Sequence, residues 1–357
     1  MAKQIKVALD ISPLKDGNAN RGMGYYVRNL LTAMQSQISS NPNFKNFKIS
    51  EVRNWKLEIG NFDLLHIPYF NPFSPSYPIH LQIPTVITVP DLIPIAYKKH
   101  YTVGIKGTLN WWRQKLFLKN IPYIITIAHS QKYIIHKITG YPLDRIYVTW
   151  LAAASHFKPE TSKIKLNQIK KKYNLPDKFV LYVGDINWNK NIPRLVSSCL
   201  DLKYPLVIVG SSATRKNITD HPWNQDLLWV QSHSNQITLT GFVPDEDIPV
   251  IYSLATIYCQ PSYSEGFGLP LVEAMKTGCP VSYSQEPTCQ EIMDYHGDFF
   301  DPNSTAGLKD SLKRLWSDPE LRKKLAIEGL KHSQIFDWKL TAIQTLTLYS
   351  QIYHENH

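Results

Sequence analysis

The stretch YSEGFGLPLVEAM, residues 263–275, places two carboxylates, Glu265 and Glu273, eight positions apart around a Gly-Phe-Gly turn. An acidic residue suits the first turn of a helix, and Glu265 alone would be an ordinary loop charge, but neither reading explains the glycines between them. A glycine loop frees backbone N–H groups that an anion can approach. We expect Glu273, in the first turn of its helix, to accept both hydroxyls of a ribose, and Glu265 to contact a sugar hydroxyl.

Two more glycine loops follow strand-like runs, with Gly22 and Gly24 in the first and Gly184 in the second. Each is weak alone, because glycine is the usual turn residue. Three such loops in one chain favour a phosphate-bearing ligand at the carboxyl ends of strands. None has the G-x-G-x-x-G spacing, so a dinucleotide dehydrogenase is the weaker alternative. Lys190, expected to open the next helix, would neutralise a diphosphate; otherwise it is a solvated first-turn lysine.

Strand-like runs alternate with helical segments throughout the 357 residues, a length that suits two cores better than one. A strand, a glycine loop and a helix open the chain at IKVALDI, and the same order begins again at KFVLYVGD, so we predict two doubly wound α/β domains. A polar, lysine-rich segment near 155–176 separates them. The predicted domains span 1–160 and 161–337, followed by a terminal helix at 338–357 whose apolar face carries Ala342, Leu346, Tyr349 and Tyr353.

The net charge of +10 is unevenly divided, because residues 1–160 hold 19 Lys and Arg against 8 Asp and Glu. The remaining residues hold 20 against 21, so the whole excess lies in the first half and favours an anionic partner there. The sequence has no recognisable nucleic-acid module, so we expect no nucleic acid and favour an anionic membrane surface. The alternative is a basic surface without a specific partner.

A basic run that also carries Trp111 and Trp112 is the predicted membrane contact, unless both tryptophans are core residues. Its cations are Lys98, Lys99, Lys106, Arg113, Lys115 and Lys119. The sequence shows no apolar run long enough to cross a bilayer. Four scattered cysteines and a start without a secretory leader lead us to expect a cytoplasmic protein, peripheral at the inner face of the membrane.

The segment PSYSEGFGLPLVEAMKTGCPVSYS resembles the donor-binding segment of retaining glycosyltransferases of family 4, which have the GT-B fold. The E-x7-E spacing, the intervening G-F-G-L-P and the following E-A-M-x-x-G-x-P-V all agree in order. RGMGYYVRNLL is similar to the family's first glycine loop and TGFVPDEDIPVIYSLATIYCQPS to the segment beside the nucleotide base. DWKLTAIQTLTLY is similar to a terminal helix that crosses back to the first domain.

This resemblance implies two Rossmann-like domains facing a central cleft, with a nucleotide-sugar donor on the second and an acceptor, a glycan or a lipid-linked sugar, on the first. It implies catalytic roles for Glu265 and Lys190, retention of configuration, and no metal or other cofactor. The residues implied in donor binding are Gly22, Gly24, Gly184, Lys190, Arg194, Gly241, Phe242, Val243, Ser262, Glu265, Gly266, Phe267, Gly268, Leu269 and Glu273.

Two positions depart from the family pattern. Asp185 stands where an arginine commonly follows the glycine of the VG loop, and Arg194 is the candidate substitute. Pro90 precedes Asp91 where many members have a histidine, and His129 is the nearest alternative, so Asp91 and His129 are the candidates on the acceptor side.

The leading hypothesis is a glycosyltransferase of surface polysaccharide or lipopolysaccharide assembly that uses GDP-mannose, with UDP or dTDP sugars as alternatives. Other hypotheses are a nucleotide-sugar epimerase or hydrolase on the same scaffold, a basic RNA- or DNA-binding protein, and an inactive member kept as an assembly partner.

Overall fold

The computed structural model describes residues 3–14, 22–53, 59–76 and 83–356. This part of the chain forms two compact units. Unit 1 comprises Met1–Ala96, Val103–Ala152 and Asp337–His357, and unit 2 comprises Tyr97–Thr102 and Ala153–Phe336. The long segments of the two units join between Ala152 and Ala153, whereas the boundary predicted from the sequence is at residue 160. The lysine-rich segment expected to separate the domains lies in unit 2, where it forms a helix.

Unit 1 is built on six parallel strands in the order β2-β1-β3-β4-β5-β6. The strands are β1 Ile5–Asp10, β2 Phe47–Val52, β3 Leu64–Ile67, β4 Thr85–Thr88, β5 Tyr123–Thr126 and β6 Ile146–Val148. The helices are α1 Gly22–Ser40, α2 Ile93–Ala96, α3 Ile105–Leu118, α4 His129–Thr139 and α13 Trp338–Asn356. Strands β3 and β4 are buried at every residue, as expected of a parallel sheet covered on both faces.

A buried polar chain fixes the terminal helix α13 to the sheet of unit 1. The His66 Nδ1 lies 2.5 Å from the Tyr349 hydroxyl, and its Nε2 lies 2.8 Å from the Thr88 hydroxyl, which in turn lies 3.2 Å from the Tyr26 hydroxyl. Burial lowers the pKa of His66 to about 3, so the ring is neutral at physiological pH. The predicted apolar face of this helix is confirmed, since Ala342, Leu346, Tyr349 and Tyr353 are all buried.

Unit 2 is built on six parallel strands in the order β12-β11-β10-β7-β8-β9. The strands are β7 Val180–Val183, β8 Leu206–Val209, β9 Thr238–Gly241, β10 Ile257–Gln260, β11 Val281–Ser284 and β12 Asp298–Phe300. The helices are α5 Lys163–Lys172, α6 Ile192–Leu202, α7 Gln225–Ser232, α8 Ile248–Leu254, α9 Leu269–Lys276, α10 Pro287–Met293, α11 Thr305–Ser317 and α12 Pro319–His332. The predicted fold class, two parallel doubly wound sheets, is confirmed.

The strand order of unit 2 reverses between β7 and β10, because β8 and β9 lie on one side and β11 and β12 on the other. In sheets of this order, ligands bind outside the carboxyl ends of the strands at the point of reversal. The loops that leave β7 and β10 are therefore where a site is expected, and they carry Lys190 and Glu265.

No helix among the described residues combines the length and the apolar character that a bilayer-crossing segment needs.

Candidate functional site

The loop that leaves β7 has a backbone that only glycine accommodates easily. Gly184 has φ +146°, and a Cβ there would lie 2.9 Å from the Tyr182 hydroxyl. A Cβ on the neighbouring Gly210 would lie 2.3 Å from the carbonyl oxygen of Gly184. These two glycines let the loops after β7 and β8 pack directly on each other, which fixes where the β7 loop begins.

Lys190 ends a short 3-10 turn, Trp188–Lys190, that precedes α6. The prediction that it opens the helix is wrong, because Asn191 adopts a left-handed conformation with φ +56° and α6 begins only at Ile192. The Asn191 amide donates to the carbonyl oxygen of Pro261 at 3.0 Å, which binds this turn to the loop after β10. The lysine therefore stands on a turn held from the opposite loop.

Glu265 is buried, with 3% of its surface exposed, so the reading of it as a solvated loop charge is wrong. Its Oε2 accepts from the Lys190 Nζ at 2.6 Å. Its Oε1 accepts from the Gln260 amide and from the Ser262 hydroxyl, each at 2.5 Å. The Thr288 hydroxyl donates to its backbone carbonyl at 2.9 Å. A buried carboxylate with this many partners is held in one place and one orientation.

The Gly-Phe-Gly turn connects Glu265 to helix α9. Gly268, with φ +85°, is the residue before the helix, and a Cβ there would lie 3.0 Å from the Leu271 side chain. Phe267 is buried and packs edge-on against Phe336, with ring centroids 6.0 Å apart. The turn therefore leads into the amino end of α9. Pro270 has no N–H there and the N–H of Leu271 donates to the carbonyl oxygen of Gly268 at 2.8 Å, so the N–H of Leu269 is the group at this end that suits an anion. Gly266 is half-buried in the same turn.

Glu273 is the fifth residue of α9, at the start of the second turn rather than in the first. It is 9% exposed, and its Oε2 accepts from the buried Tyr252 hydroxyl at 3.1 Å. Burial raises the pKa of Glu273 to about 7, and the nearby charge of Asp245 adds to this, while the Tyr252 hydrogen bond acts in the opposite direction. The carboxyl thus changes its charge near neutral pH, a property frequent at functional sites.

Three further predicted donor residues lie around the end of β9. Gly241 has φ +71°, and a Cβ there would lie 2.6 Å from the Thr214 hydroxyl. Phe242 is 63% exposed and Val243 is buried. An exposed aromatic ring immediately after a strand is available to stack on a flat group.

Asp185, one of the two departures from the family pattern, follows Gly184 in the loop after β7, and Arg194, its candidate substitute, lies in α6. The Arg194 guanidinium donates to the carbonyl oxygen of Pro302 and lies 5.4 Å from the centre of the Tyr263 ring. The carbonyl oxygen of Asp185 accepts from the Tyr182 hydroxyl at 2.8 Å. Arg194 is thus engaged with a carbonyl and a ring, and its role as a substitute cation on a diphosphate stays a prediction.

The predicted residues of unit 1 lie at the carboxyl edge of its own sheet. Asp91 follows β4, and its Oδ1 accepts from the backbone N–H of Ile93 at 3.0 Å. His129 is exposed at the start of α4, after the neighbouring strand β5, edge-on to Trp150 at 5.9 Å. Gly22 and Gly24 lie at the start of α1, and Gly24 is buried. The rest of that first glycine loop, residues 15–21, lies outside the described residues. The acceptor role of this edge stays a prediction.

Three residues that support the site were not predicted from the sequence. Gln260 and Asn189 are buried and hydrogen-bonded to the loop of Glu265, and Tyr252 is hydrogen-bonded to Glu273. Gln260 had a detectable signal, since it is a polar residue ending the buried run IYCQ, at the carboxyl end of a strand. Tyr252 had none, because a tyrosine inside an apolar helix is usually a core residue.

Among the described residues, one group of three side chains, Asp294, His296 and His332, brings possible metal-ligand atoms within 4.8 Å of one another. The two imidazoles are stacked, with centroids 4.3 Å apart and planes inclined by 11°. Nitrogen lone pairs lie in the plane of each ring, so two nearly parallel rings do not point at one ion. This group does not fit a metal as it stands, and the prediction that no metal is needed remains a prediction.

A family model described as glycosyl transferases group 1 matches residues 164–332, which lie within unit 2. The MMP alpha-(1->4)-mannosyltransferase of Mycolicibacterium hassiacum is 31% identical over 328 residues, which cover 87% of this chain and 75% of that protein. The O-antigen chain mannosyltransferase B of Escherichia coli is 30% identical over 243 residues, which cover 65% of this chain.

The chain spans only part of some relatives. The match covers 61% of the E. coli mannosyltransferase B and about a third of the serotype-specific mannosyltransferase WbdA of the same species. Among solved structures, HepE of Anabaena, in complex with UDP and glucose, superposes with a TM-score of 0.74 at 14% identity, covering 98% of this chain and 100% of that one. Similarity at that level of identity concerns the fold alone.

Proposed function

We propose that this chain, which belongs to the glycosyl transferases group 1 family, transfers a sugar from a nucleotide-sugar donor to a glycan or lipid-linked acceptor in polysaccharide assembly. The observation that carries this proposal is the buried ion pair of Lys190 and Glu265 at the reversal point of the unit 2 sheet. Side-chain exposure is 22% for the lysine and 4% for the glutamate, so the pair acts in a largely water-excluded setting.

The charges of Lys190 and Glu265 are opposite to the two charges that develop during glycosyl transfer. As the bond between the anomeric carbon and the diphosphate breaks, negative charge gathers on the diphosphate and positive charge on the sugar ring. A cation beside the first and a carboxylate beside the second both favour that transition state, and preorganised charges of this kind are usually the largest catalytic contribution. We therefore assign Lys190 to the diphosphate and Glu265 to the sugar.

The reaction that we propose retains the configuration of the sugar. An acceptor hydroxyl attacks the anomeric carbon from the face that the diphosphate leaves, and its proton passes to the departing phosphate oxygen. The backbone N–H groups of Gly266, Phe267, Gly268 and Leu269, which lead into the amino end of α9 about one turn before Glu273, donate to the nucleotide sugar. Glu273 accepts the ribose hydroxyls. Lys190 and these N–H groups supply the positive charge, so we expect no metal.

GDP-mannose is the donor that we propose. The mannose is supported by the names of two relatives, the mannosyltransferases of Escherichia coli and Mycolicibacterium hassiacum, of which the match covers 61% and 75%. The guanine nucleotide is our proposal. The alternative is a UDP sugar, since the structurally similar HepE was solved with UDP and glucose.

Thermal shift and calorimetric titration with GDP, UDP, dTDP and ADP test the donor. We expect GDP to raise the unfolding temperature most, and guanosine to bind far more weakly than GDP because Lys190 acts on the diphosphate. Lys190→Met should remove most of the difference between GDP and guanosine, whereas Lys309→Met, which removes an ion pair with Asp201 elsewhere in unit 2, should leave it unchanged. Tighter binding of a nucleoside diphosphate with another base would mean that the donor is not GDP-mannose. Absence of binding by all four would overturn the proposed function.

We also propose that the acceptor is presented at an anionic membrane surface, which helix α3 contacts. Residues 92–143 contain no aspartate or glutamate. Helix α3 exposes a stripe of large apolar side chains at helical spacing: Ile105 at 83%, Leu109 at 64%, Trp112 at 54% and Leu116 at 61%. Three exposed cations, Lys106, Arg113 and Lys119, and the half-buried Lys115 lie on or next to the same helix. A helix that lies at a membrane interface usually buries an apolar face in the bilayer and carries lysines beside it. Each lysine near an anionic surface contributes about 1 kcal/mol to binding.

The structure divides the residues assigned to this contact by the sequence. Trp111 is buried and Trp112 is exposed, so neither the prediction that both face the membrane nor the alternative that both are core is right. Lys98 and Lys99 lie in Tyr97–Thr102, which belongs to unit 2 rather than to the first domain.

Sedimentation with vesicles of anionic lipid tests this contact. We expect binding at low salt that weakens at high salt, and a large loss in the variant Leu109→Ser/Trp112→Ser. A matched control is Ile327→Ser, which removes an apolar side chain that is 59% exposed on α12. Wild-type protein that stays in the supernatant at low salt, or equal loss in the control, would overturn the membrane proposal and leave the donor site untouched.

A further inference from the structure

We propose that residues 97–102, which come from the first third of the chain but belong to unit 2, position Lys190 for catalysis by clamping the turn on which it stands. This inference rests on the proposed function, because it concerns the same Lys190. Residues 97–102 touch neither donor nor acceptor in the assignment above, so they are positioning residues.

The first part of the clamp is a stack of flat groups. The His100 ring lies on the Trp188 ring, with centroids 3.6 Å apart and planes inclined by 9°. Trp188 in turn lies on Tyr263, at 5.0 Å and 19°. The Arg194 guanidinium follows, 5.4 Å from the centre of the Tyr263 ring. Trp188 stands two residues before Lys190, and Tyr263 stands two residues before Glu265, so the stack joins the two loops just ahead of the ion pair.

The second part of the clamp is a hydrogen-bonded bridge at the next residue along each loop. The Tyr101 hydroxyl donates to the Asn189 side-chain oxygen at 2.5 Å, and both residues are buried. The Asn189 amide donates to the carbonyl oxygen of Ser264 at 2.9 Å, and its own carbonyl oxygen accepts from the N–H of Tyr263 at 2.8 Å. Asn189 immediately precedes Lys190, and Ser264 immediately precedes Glu265. Tyr101 therefore orients the residue that fixes the distance between the two charged positions.

The segment is itself held on unit 2 by Trp223. The Trp223 indole N–H donates to the carbonyl oxygen of Thr102 at 3.1 Å, and its ring lies edge-on to Tyr101 at 5.4 Å. Tyr97 adds a further tilted ring contact to Trp188, at 5.1 Å. Residues 97–102 therefore make several specific contacts with the turn that carries Lys190, and these contacts restrain the backbone of that turn.

The physical reason for such a clamp is the flexibility of the lysine side chain. Lys190 has four rotatable bonds and stands on a short turn outside the helix, so its ammonium position depends on how firmly the backbone of that turn is held. A misplacement of about 1 Å can cost a factor of about 100 in rate, because the reacting groups must stay aligned. Loosening the turn should therefore lower turnover while the nucleoside part of the donor still binds.

The test is Tyr101→Phe, which keeps the ring and removes the hydroxyl from Asn189. We expect kcat to fall about tenfold or more, with little change in the affinity for the free nucleoside. Tyr173→Phe is the matched control, since it removes a hydroxyl bonded to Asp247 elsewhere in unit 2 and should leave kcat unchanged. Hydrogen exchange of residues 184–191 should rise in the first variant and not in the second.

A double-variant cycle separates positioning from general stability. If Tyr101 acts through Lys190, then Tyr101→Phe should cost nothing further in a Lys190→Met background. For the stack, His100→Ala should lower kcat, and His100→Phe should restore most of it. The inference is overturned if the effects of Tyr101→Phe and Lys190→Met on kcat multiply in the double variant. It is also overturned if Tyr101→Phe lowers the unfolding temperature and leaves kcat unchanged. Failure of the wild type to bind any nucleoside diphosphate would instead overturn the proposed function, and this inference with it.

Discussion

The perturbed carboxyl of Glu273 should make donor binding depend on pH in a way that identifies its role. Burial raises the pKa of this side chain from 4.5 to about 7, so half of the free protein carries a protonated Glu273 at neutral pH. Two ribose hydroxyls donate best to the ionised carboxylate, since a protonated carboxyl has lost part of its acceptor capacity. Binding of the donor should therefore select the ionised form and release a proton.

The magnitude follows from that value. If Glu273 stays ionised in the complex, a titration at about pH 7 makes the donor bind about tenfold more weakly at pH 6 than at pH 8, equivalent to about 1.4 kcal/mol. At pH 7 about half a proton should be released for each donor bound. The carboxyl is almost fully buried in the free protein, so bulk screening reduces this effect little.

Calorimetry at pH 6, 7 and 8, in two buffers of different ionisation enthalpy, measures both quantities. The ligand should be an intact nucleotide sugar, because a nucleoside diphosphate has a terminal phosphate that itself titrates near pH 6. The variant Glu273→Gln is the control, since it keeps the size of the side chain and should bind weakly with no pH dependence from this position. Equal affinity of the wild type at pH 6 and pH 8, or the same tenfold change in Glu273→Gln, would refute the assignment of Glu273 to the ribose.

The stability of the free protein should carry the same signature. A carboxyl whose pKa is raised in the folded state stabilises the protein fully below about pH 4.5, and this stabilisation is lost as pH rises through about 7. The free energy of unfolding of Glu273→Gln, measured in urea, should therefore exceed that of the wild type by up to about 3 kcal/mol at pH 8 and by nothing at pH 4.5. Lys190→Met alone should lower the free energy of unfolding by about 3–5 kcal/mol, because it leaves Glu265 buried without its cation. The double variant Lys190→Met/Glu265→Gln should recover most of that loss, and equal losses in the two variants would mean that the pair does not interact. Glu286 is the residue before α10, and its side chain accepts from the N–H of Cys289 in the first turn. Replacement of Glu286 by Ala should cost about 1 kcal/mol in urea unfolding and replacement by Gln less; equal costs would show that the cap contributes nothing. Sugar transfer should persist in excess EDTA, and its abolition, reversed by added Mg²⁺ or Mn²⁺, would contradict the metal-independent assignment.

Sequence alone predicted the fold well where strands are buried. LVIV in β8 is apolar on both faces and TVIT in β4 has an apolar residue on each face, which is the pattern of a parallel sheet, and both are strands. The edge strands β2 and β12 lack this pattern. FKISEV in β2 is partly exposed and alternates in character, and β12 has only three residues, Asp298–Phe300. Neither differs from a loop until its neighbour in the sheet is known.

Sequence spacing singled out candidate residues for the site, whose roles stay predictions, and it did not predict their burial. The spacing of Glu265 and Glu273 identified both carboxylates, but an acid in a loop and an acid in a helix are normally exposed, and their burial depends on Gln260, Ser262 and Tyr252 around them. The ion pair between Lys190 and Glu265 joins residues 75 positions apart. It follows only from the strand order that places β7 beside β10.

The contribution of Tyr97–Thr102 to unit 2 could not be predicted for a related reason. YKKHYT reads as a basic, aromatic stretch of the first half, and its charge indicated a membrane contact. Stacking of His100 on Trp188 is a property of two loops that meet in space and leaves no periodic trace in either.

Transfer of label from a nucleotide sugar tests the central claim most directly, namely that the Lys190–Glu265 pair supports glycosyl transfer. Wild-type protein is incubated with sugar-labelled GDP-mannose, and in parallel with labelled UDP and dTDP sugars, together with a glycolipid extract of the source cells as acceptor. We predict label in the lipid or glycan fraction with GDP-mannose, with the anomeric configuration of the donor kept in the product, and a loss of at least about 100-fold in Glu265→Gln. Transfer by Glu265→Gln at the wild-type rate, inverted configuration, or no transfer from any of these donors would contradict the account.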